Sequence, residues 1–152
     1  MVILCDTRQQ KGKHLNIERY CLENNIEMIP QCLSVGDYML PNGKIAVDTK
    51  QSVLELANDL YKDQCVFNRK YKKSWREKIK LYILVEESVS CLQDLVLWEN
   101  KHSRIKGRYL VELMHNVKTS YGVDFVFCSK SETPKKLFEL LGVKNEERKA
   151  DD

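Results

Sequence analysis

Hydrophobic and polar positions follow two rhythms along this chain, and the switches between them mark out its elements. Val2-Ile3-Leu4 is a short continuous apolar run ending at Asp6, the pattern of a buried central strand. Leu15, Ile17, Tyr20, Cys21 and Leu22 then fall near a helical stripe over residues 14–24, which Asn24-Asn25 closes. Ile26 to Leu33 reads as a strand interrupted by Pro30, a residue that sheets tolerate at an edge or a bulge. Val35 to Leu40 alternates apolar and polar residues, Pro41-Asn42-Gly43 supplies turn chemistry, and Lys44 to Thr49 resumes the alternation. That stretch predicts two short antiparallel strands.

Ser52 and Glu55 then form a capping box ahead of a helix with a broad apolar face of Val53, Leu54, Leu56, Ala57 and Leu60. A second helix follows from Gln64 to about Lys80, with Val66, Tyr71 and Trp75 near helical spacing and Trp75 as a core anchor. Leu81 to Val85 is a buried strand, and residues 88–105 hold a further strand or short helix. Gly107 to Tyr121 is helical, with Leu110, Leu113, Met114 and Val117 on one face, His115 near it in a structural role, and Gly122 as the stop. Val123 to Cys128 is another buried strand; Thr133 caps a last helix with Pro134 at its first position. The order β-α-β-β-β-α-α-β-(α or β)-α-β-α predicts a three-layer α/β domain with a mixed sheet over residues 1–143. Residues 144–152 form a charged tail.

The central strand pair carries the chemistry. Asp48 and Lys50 are two apart on one strand and leave from the same face, while Asp37 belongs to the partner strand. Asp37 and Asp48 could ligate Mg²⁺ or Mn²⁺ through hard oxygens, with help from the Thr49 carbonyl, leaving positions for water and a phosphate oxygen. Lys50 would orient the attacking water or offset charge on the phosphate. Asp6 is placed either as a third carboxylate or as a cap for its loop, and Arg8 either binds phosphate or pairs with a carboxylate. Glu18, on the far side of the first helix, reads as solvated. Gln51 binds water or phosphate, or is solvated.

Charge adds a partner to this picture. The whole chain of 152 residues carries only +3, but Lys62 to Lys80 holds eight basic residues against Asp63 and Glu77. A second basic cluster runs from Lys101 through Arg104 and Lys106 to Arg108. Two such patches beside a phosphodiesterase-type site point to nucleic acid. No apolar run approaches the ~20 residues of a membrane span, and no secretory leader is visible, so a cytoplasmic or nucleoid setting is expected. The six cysteines lack any Cys-x-x-Cys pair and read as reduced, mostly buried thiols rather than zinc ligands.

From Val2 to about Glu87 these motifs resemble the nuclease domain of the XPF-type structure-specific endonucleases, a branch of the PD-(D/E)xK superfamily. Val2-Ile-Leu-Cys-Asp6-Thr-Arg8-Gln9 stands where the family has a strand ending in Asp-x-Arg-Glu. Gly36-Asp37-Tyr38 matches in full, Asp48-Thr49-Lys50 stands for Glu-Arg-Lys, and Leu81 to Glu86-Glu87 for the following strand. Three positions depart: Thr49 replaces Arg, Gln9 replaces Glu, and Leu54 stands where an Asp is usual.

The resemblance implies a restriction-endonuclease-like fold and Mg²⁺- or Mn²⁺-dependent cleavage of branched or flap-containing DNA. Asn68, Arg69, Lys72 and Lys73 on the basic helix would contact phosphates, as would Arg104 and Lys106. Many relatives append helix-hairpin-helix repeats, for which this chain has no room, so recognition is expected from the domain itself, a homodimer or a partner subunit. A catalytically inactive DNA-binding or scaffolding subunit with the same fold is the alternative.

Overall fold

The computed structural model describes residues 1–9, 12–62 and 64–143. The expected tail from 144 to 152, and the side chains of Cys65 and Val66, lie outside the described residues. Twelve elements follow in the order β1 (Val2–Asp6), α1 (Leu15–Glu23), β2 (Glu27–Gln31), β3 (Tyr38–Met39), β4 (Ile45–Lys50), α2 (Val53–Lys62), α3 (Gln64–Arg76), β5 (Lys80–Val85), α4 (Leu92–Val96), α5 (Gly107–Tyr121), β6 (Asp124–Phe127) and α6 (Thr133–Leu140). The undecided stretch 88–105 thus contains a short helix.

The six strands form one mixed sheet in the order β2-β1-β3-β4-β5-β6. β1 runs parallel to β2 and antiparallel to β3, β3 is antiparallel to β4, and β4, β5 and β6 run parallel. Alternation along β4 sends successive residues to opposite helical layers. Ala46 joins one core with Leu56, Tyr71, Ile83 and Leu110, beneath α2, α3 and α5. Val47 joins the other with Ile3, Ile17, Leu84 and Leu137, beneath α1 and α6. The three-layer α/β architecture is therefore as the pattern predicts. By the same alternation Asp48 and Lys50 fall on the α2–α3 side and Thr49 on the α1 side.

Several local features differ from expectation. The first strand of the central pair shrinks to Tyr38–Met39 because Gly36 adopts φ +76°, outside extended geometry. Asp37 therefore precedes the strand rather than lying within it. Trp75 is 61% exposed: the inward line of α3 runs from Tyr71 to the fully buried Ser74, which rotates Trp75 outward. Thr133 is no cap but the first helical residue, and its buried hydroxyl donates to Glu86 Oε2 at 3.1 Å. β6 is an edge strand of half-buried residues, and Leu15, Leu22, Cys32, Cys91 and His115 are exposed.

β2 is the other sheet edge. Glu27 N–H and Gln31 C=O bond toward β1, so the intervening Met28 and Pro30 turn their backbone groups outward. Pro30 sits where its missing N–H costs no ladder bond.

Candidate active site

Asp37 is fixed by an interrupted ladder. Its N–H donates to Val47 O at 2.9 Å, the last regular bond between the partners. Where Gly36 turns the chain away, the Asp37 side chain substitutes for the missing backbone acceptor. Its Oδ2 accepts from Thr49 N–H at 2.9 Å and from Thr49 Oγ1 at 2.7 Å. Its carbonyl accepts from Asp6 N–H at 2.8 Å and from Gln9 Nε2 at 3.0 Å. Gln9, standing where the resemblance has Glu, thus braces the acidic loop. On the α1 side, Thr49 Oγ1 lies 3.3 Å from Nε2 of His14.

Asp48 emerges on the opposite side of β4 from Thr49, close enough to Asp37 to feel its charge. Burial and the neighbouring Asp37 charge push its carboxyl up to about 7 against the pull of Lys50. Two neighbouring carboxylates at a half-dry site favour a cation between them. Val47 C=O faces β3, whereas Lys50 C=O accepts Glu86 N–H on the β5 side. Alternation therefore turns the Thr49 carbonyl toward the Asp37 side.

Lys50 is 6% exposed. Its ammonium lies 2.6 Å from Asp59 and 3.6 Å from Asp48. Burial opposes its charge, but Asp48 and Asp59 overcome this and raise its pKa. Asp59 lies nine residues beyond Lys50, on α2. α2 itself starts as the capping box predicts, with Glu55 N–H donating to Ser52 Oγ at 3.1 Å. The Glu55 carboxylate reaches back one residue further than expected, to Gln51 N–H at 2.7 Å.

Asp6 caps a different loop from its own. Its Oδ1 accepts from Leu33 N–H at 3.1 Å, and Arg8 Nε donates to Oδ2 at 3.1 Å. Arg8 Nη2 reaches Leu33 O at 2.7 Å, so the pair staples β1 to the loop that presents Asp37. Among the described residues no three His, Cys, Asp or Glu side chains gather into a metal cage.

Asp6, Arg8, Asp37, Asp48 and Gln51 nonetheless line one open cavity of about 570 Å³. Arg69, Lys70 and Lys73 from α3 form its basic wall, and Lys13 and Glu55 contribute elsewhere to its lining. Lys50 does not line it. Of the predicted phosphate contacts, Arg69 and Lys73 face this cavity; Lys72 does not, and Asn68 lines a separate groove with Tyr71 and Tyr121. Arg104 and Lys106 line another depression. It lies near the Tyr109–Tyr61 ring contact, at the opposite end of α2 from Gln51 and Glu55. Glu18 is exposed, and Glu86 is buried on the α1–α6 side. Lys70 was within reach of the charge pattern; Asp59 and His14 carried no local signal, since their roles arise from contacts across the fold.

The strand order and the two helical layers define a mixed-sheet α/β fold. The sequence matches no family model and no curated protein. Among solved structures, XPF from Aeropyrum pernix superimposes with a TM-score of 0.70 at 19% identity, over 99% of this chain and 68% of that one. XPF from Aeropyrum pernix in complex with DNA gives 0.70 at 19% identity, over 93% and 64%. The chain has the XPF-type nuclease fold, and spans about two thirds of the length of those chains.

Proposed function

We propose that this protein is a metal-dependent DNA endonuclease acting on branched or flap-containing DNA. The observation that carries the reading is that Asp37 and Asp48 line one open cavity walled by Arg69, Lys70 and Lys73. The donor set fits Mg²⁺ or Mn²⁺: two carboxylates and the Thr49 carbonyl are hard oxygens, and the strain of holding both carboxylates charged is what a divalent cation relieves. When bound, such an ion supplies Lewis-acid activation of water and of the phosphoryl group.

The chain's own residues would do the rest. Asp37, locked by Thr49, and Asp48 hold the ion; Arg69 and Lys73 fix the phosphates on either side of the scissile bond. Lys50 neutralises Asp48 at rest, and orienting the hydrolytic water requires its ammonium to turn from Asp59 toward the cavity. DNA bound to the Aeropyrum XPF supports a nucleic-acid substrate. A homodimer or partner subunit would extend the contact surface.

The second reading, a DNA-binding subunit without activity, is favoured by one observation: Lys50 sits outside the cavity lining, engaged by Asp59. Cleavage of labelled flap, fork, junction and duplex DNA with Mg²⁺ or Mn²⁺ separates the two. Cutting by the wild type that Asp48→Ala abolishes is expected. DNA binding by both proteins without cutting by either would leave the scaffold reading in its place.

A further inference from the structure

We propose that His14 is a positioning residue of the acidic site, acting on Asp37 through the hydroxyl of Thr49. The proposal rests on the reading of Asp37 as a metal-holding carboxylate. It starts from two polar side chains buried where neither composition nor motif requires them: Thr49 is 1% exposed and His14 3%.

The direction of the hydrogen bonds follows from proton counting. The Thr49 hydroxyl has one proton, and it goes to Asp37 Oδ2. The 3.3 Å contact with His14 Nε2 is then one in which the imidazole donates and Thr49 Oγ1 accepts. That assigns the Nε2–H tautomer and leaves Nδ1 without a hydrogen, in keeping with its having no partner among the described residues. The ring is held in place: it packs on Tyr38 with centroids 5.5 Å apart, and the His14 carbonyl accepts Glu18 N–H at 3.0 Å at the start of α1.

The result is a chain of donors, His14 to Thr49 to Asp37, reaching the cavity from the opposite helical layer. With Oδ2 held by two donors, the carboxylate plane is fixed before any ion arrives. Partners of this kind orient a ligand and raise its affinity for metal. Thr49 is the position where the resemblance puts Arg, so the substitution brings with it a group on a different element.

The test is Mn²⁺ affinity without DNA, read by electron paramagnetic resonance on the full chain. Thr49→Val, nearly isosteric, and His14→Phe, a larger ring without ring N–H, break the relay, and each is expected to weaken binding roughly tenfold. The double variant should be no weaker than Thr49→Val, while Thr49→Ser and His14→Gln, which retain the donors, stay close to wild type. If His14→Phe does not fold, Thr49→Val and His14→Gln carry the comparison. Wild-type affinity in the relay-breaking variants overturns the relay and leaves the metal reading standing. Failure of the wild type itself to bind Mn²⁺ overturns both. Independently of metal, nitrogen-15 spectra of the imidazole must show Nε2–H; an Nδ1–H tautomer overturns the proposal.

Discussion

Replacing Asp59 by Asn removes the closer of the two carboxylates that hold the Lys50 ammonium. At an effective dielectric of about 20, unit charges 2.6 Å apart attract by roughly 6 kcal/mol before desolvation is counted. Breaking one side of a buried pair costs about 3–5 kcal/mol, because the remaining charge stays buried without its partner. Asp48 remains 3.6 Å away, so the lower end applies, about 3 kcal/mol. For a chain of this size that lowers the thermal midpoint by about 6–12 °C, and the urea midpoint by roughly 1.5 M. Urea unfolding at pH 7 and constant ionic strength measures it. Lys50→Met in the Asp59→Asn background should recover part of the loss, since the buried ammonium is then gone, offset in part because Asp48 loses its counter-charge. The reasoning is refuted if Asp59→Asn costs less than about 1 kcal/mol, or if the double variant is no more stable than the single one.

Other outcomes follow from the same geometry. Asp48 has a folded pKa of about 7 against an ordinary 3.8, so its stabilising contribution is complete below 3.8 and is lost as pH rises through 7. Urea midpoints of the metal-free protein should fall over that window and flatten in Asp48→Asn, while Mg²⁺ affinity, measured calorimetrically, should rise through pH 7. Lys73→Ala and Arg69→Ala should each reduce the salt dependence of DNA binding by about one ion, and Lys72→Ala by less, as followed by fluorescence anisotropy. Gly36→Ala places a Cβ 3.0 Å from Ala46 Cβ and 3.1 Å from Val47 O at φ +76°. A loss of at least about 1 kcal/mol in thermal unfolding is expected, together with weaker metal binding through a displaced Asp37.

Every element but α4 is readable in order from the sequence because each carries its own period, from the apolar run of β1 to the Gly122 stop after α5. What periodicity leaves out is which of two adjacent helical positions faces inward. Trp75 and Ser74 differ by one residue, and only the packing of Tyr71 decides between them. Asp37, Asp48 and Lys50 could be singled out by their spacing; the structure brings Asp37 and Asp48 to one cavity and leaves Lys50 outside its lining. Asp6 was placed correctly at its strand end, but its role as a staple depends on Leu33, 27 residues away. Asp59 and His14 were illegible for the same reason. Their functions are properties of pairs that the sheet and helices bring together, and a lone Asp on a helix or a lone His before one says nothing of its partner.

The outward rung at Pro30 bears on how copies of this protein meet. An exposed strand edge is a template: a second chain can add to it, and a third to that, until soluble protein becomes fibre. On β2 the template lacks a donor at Pro30, leaving Met28 as the outward N–H within the strand, too few bonds to seat an added strand. Crowding of many copies would therefore not propagate into sheet-to-sheet polymer from this side. Self-association there would have to use side-chain surfaces, whose specificity can be tuned residue by residue.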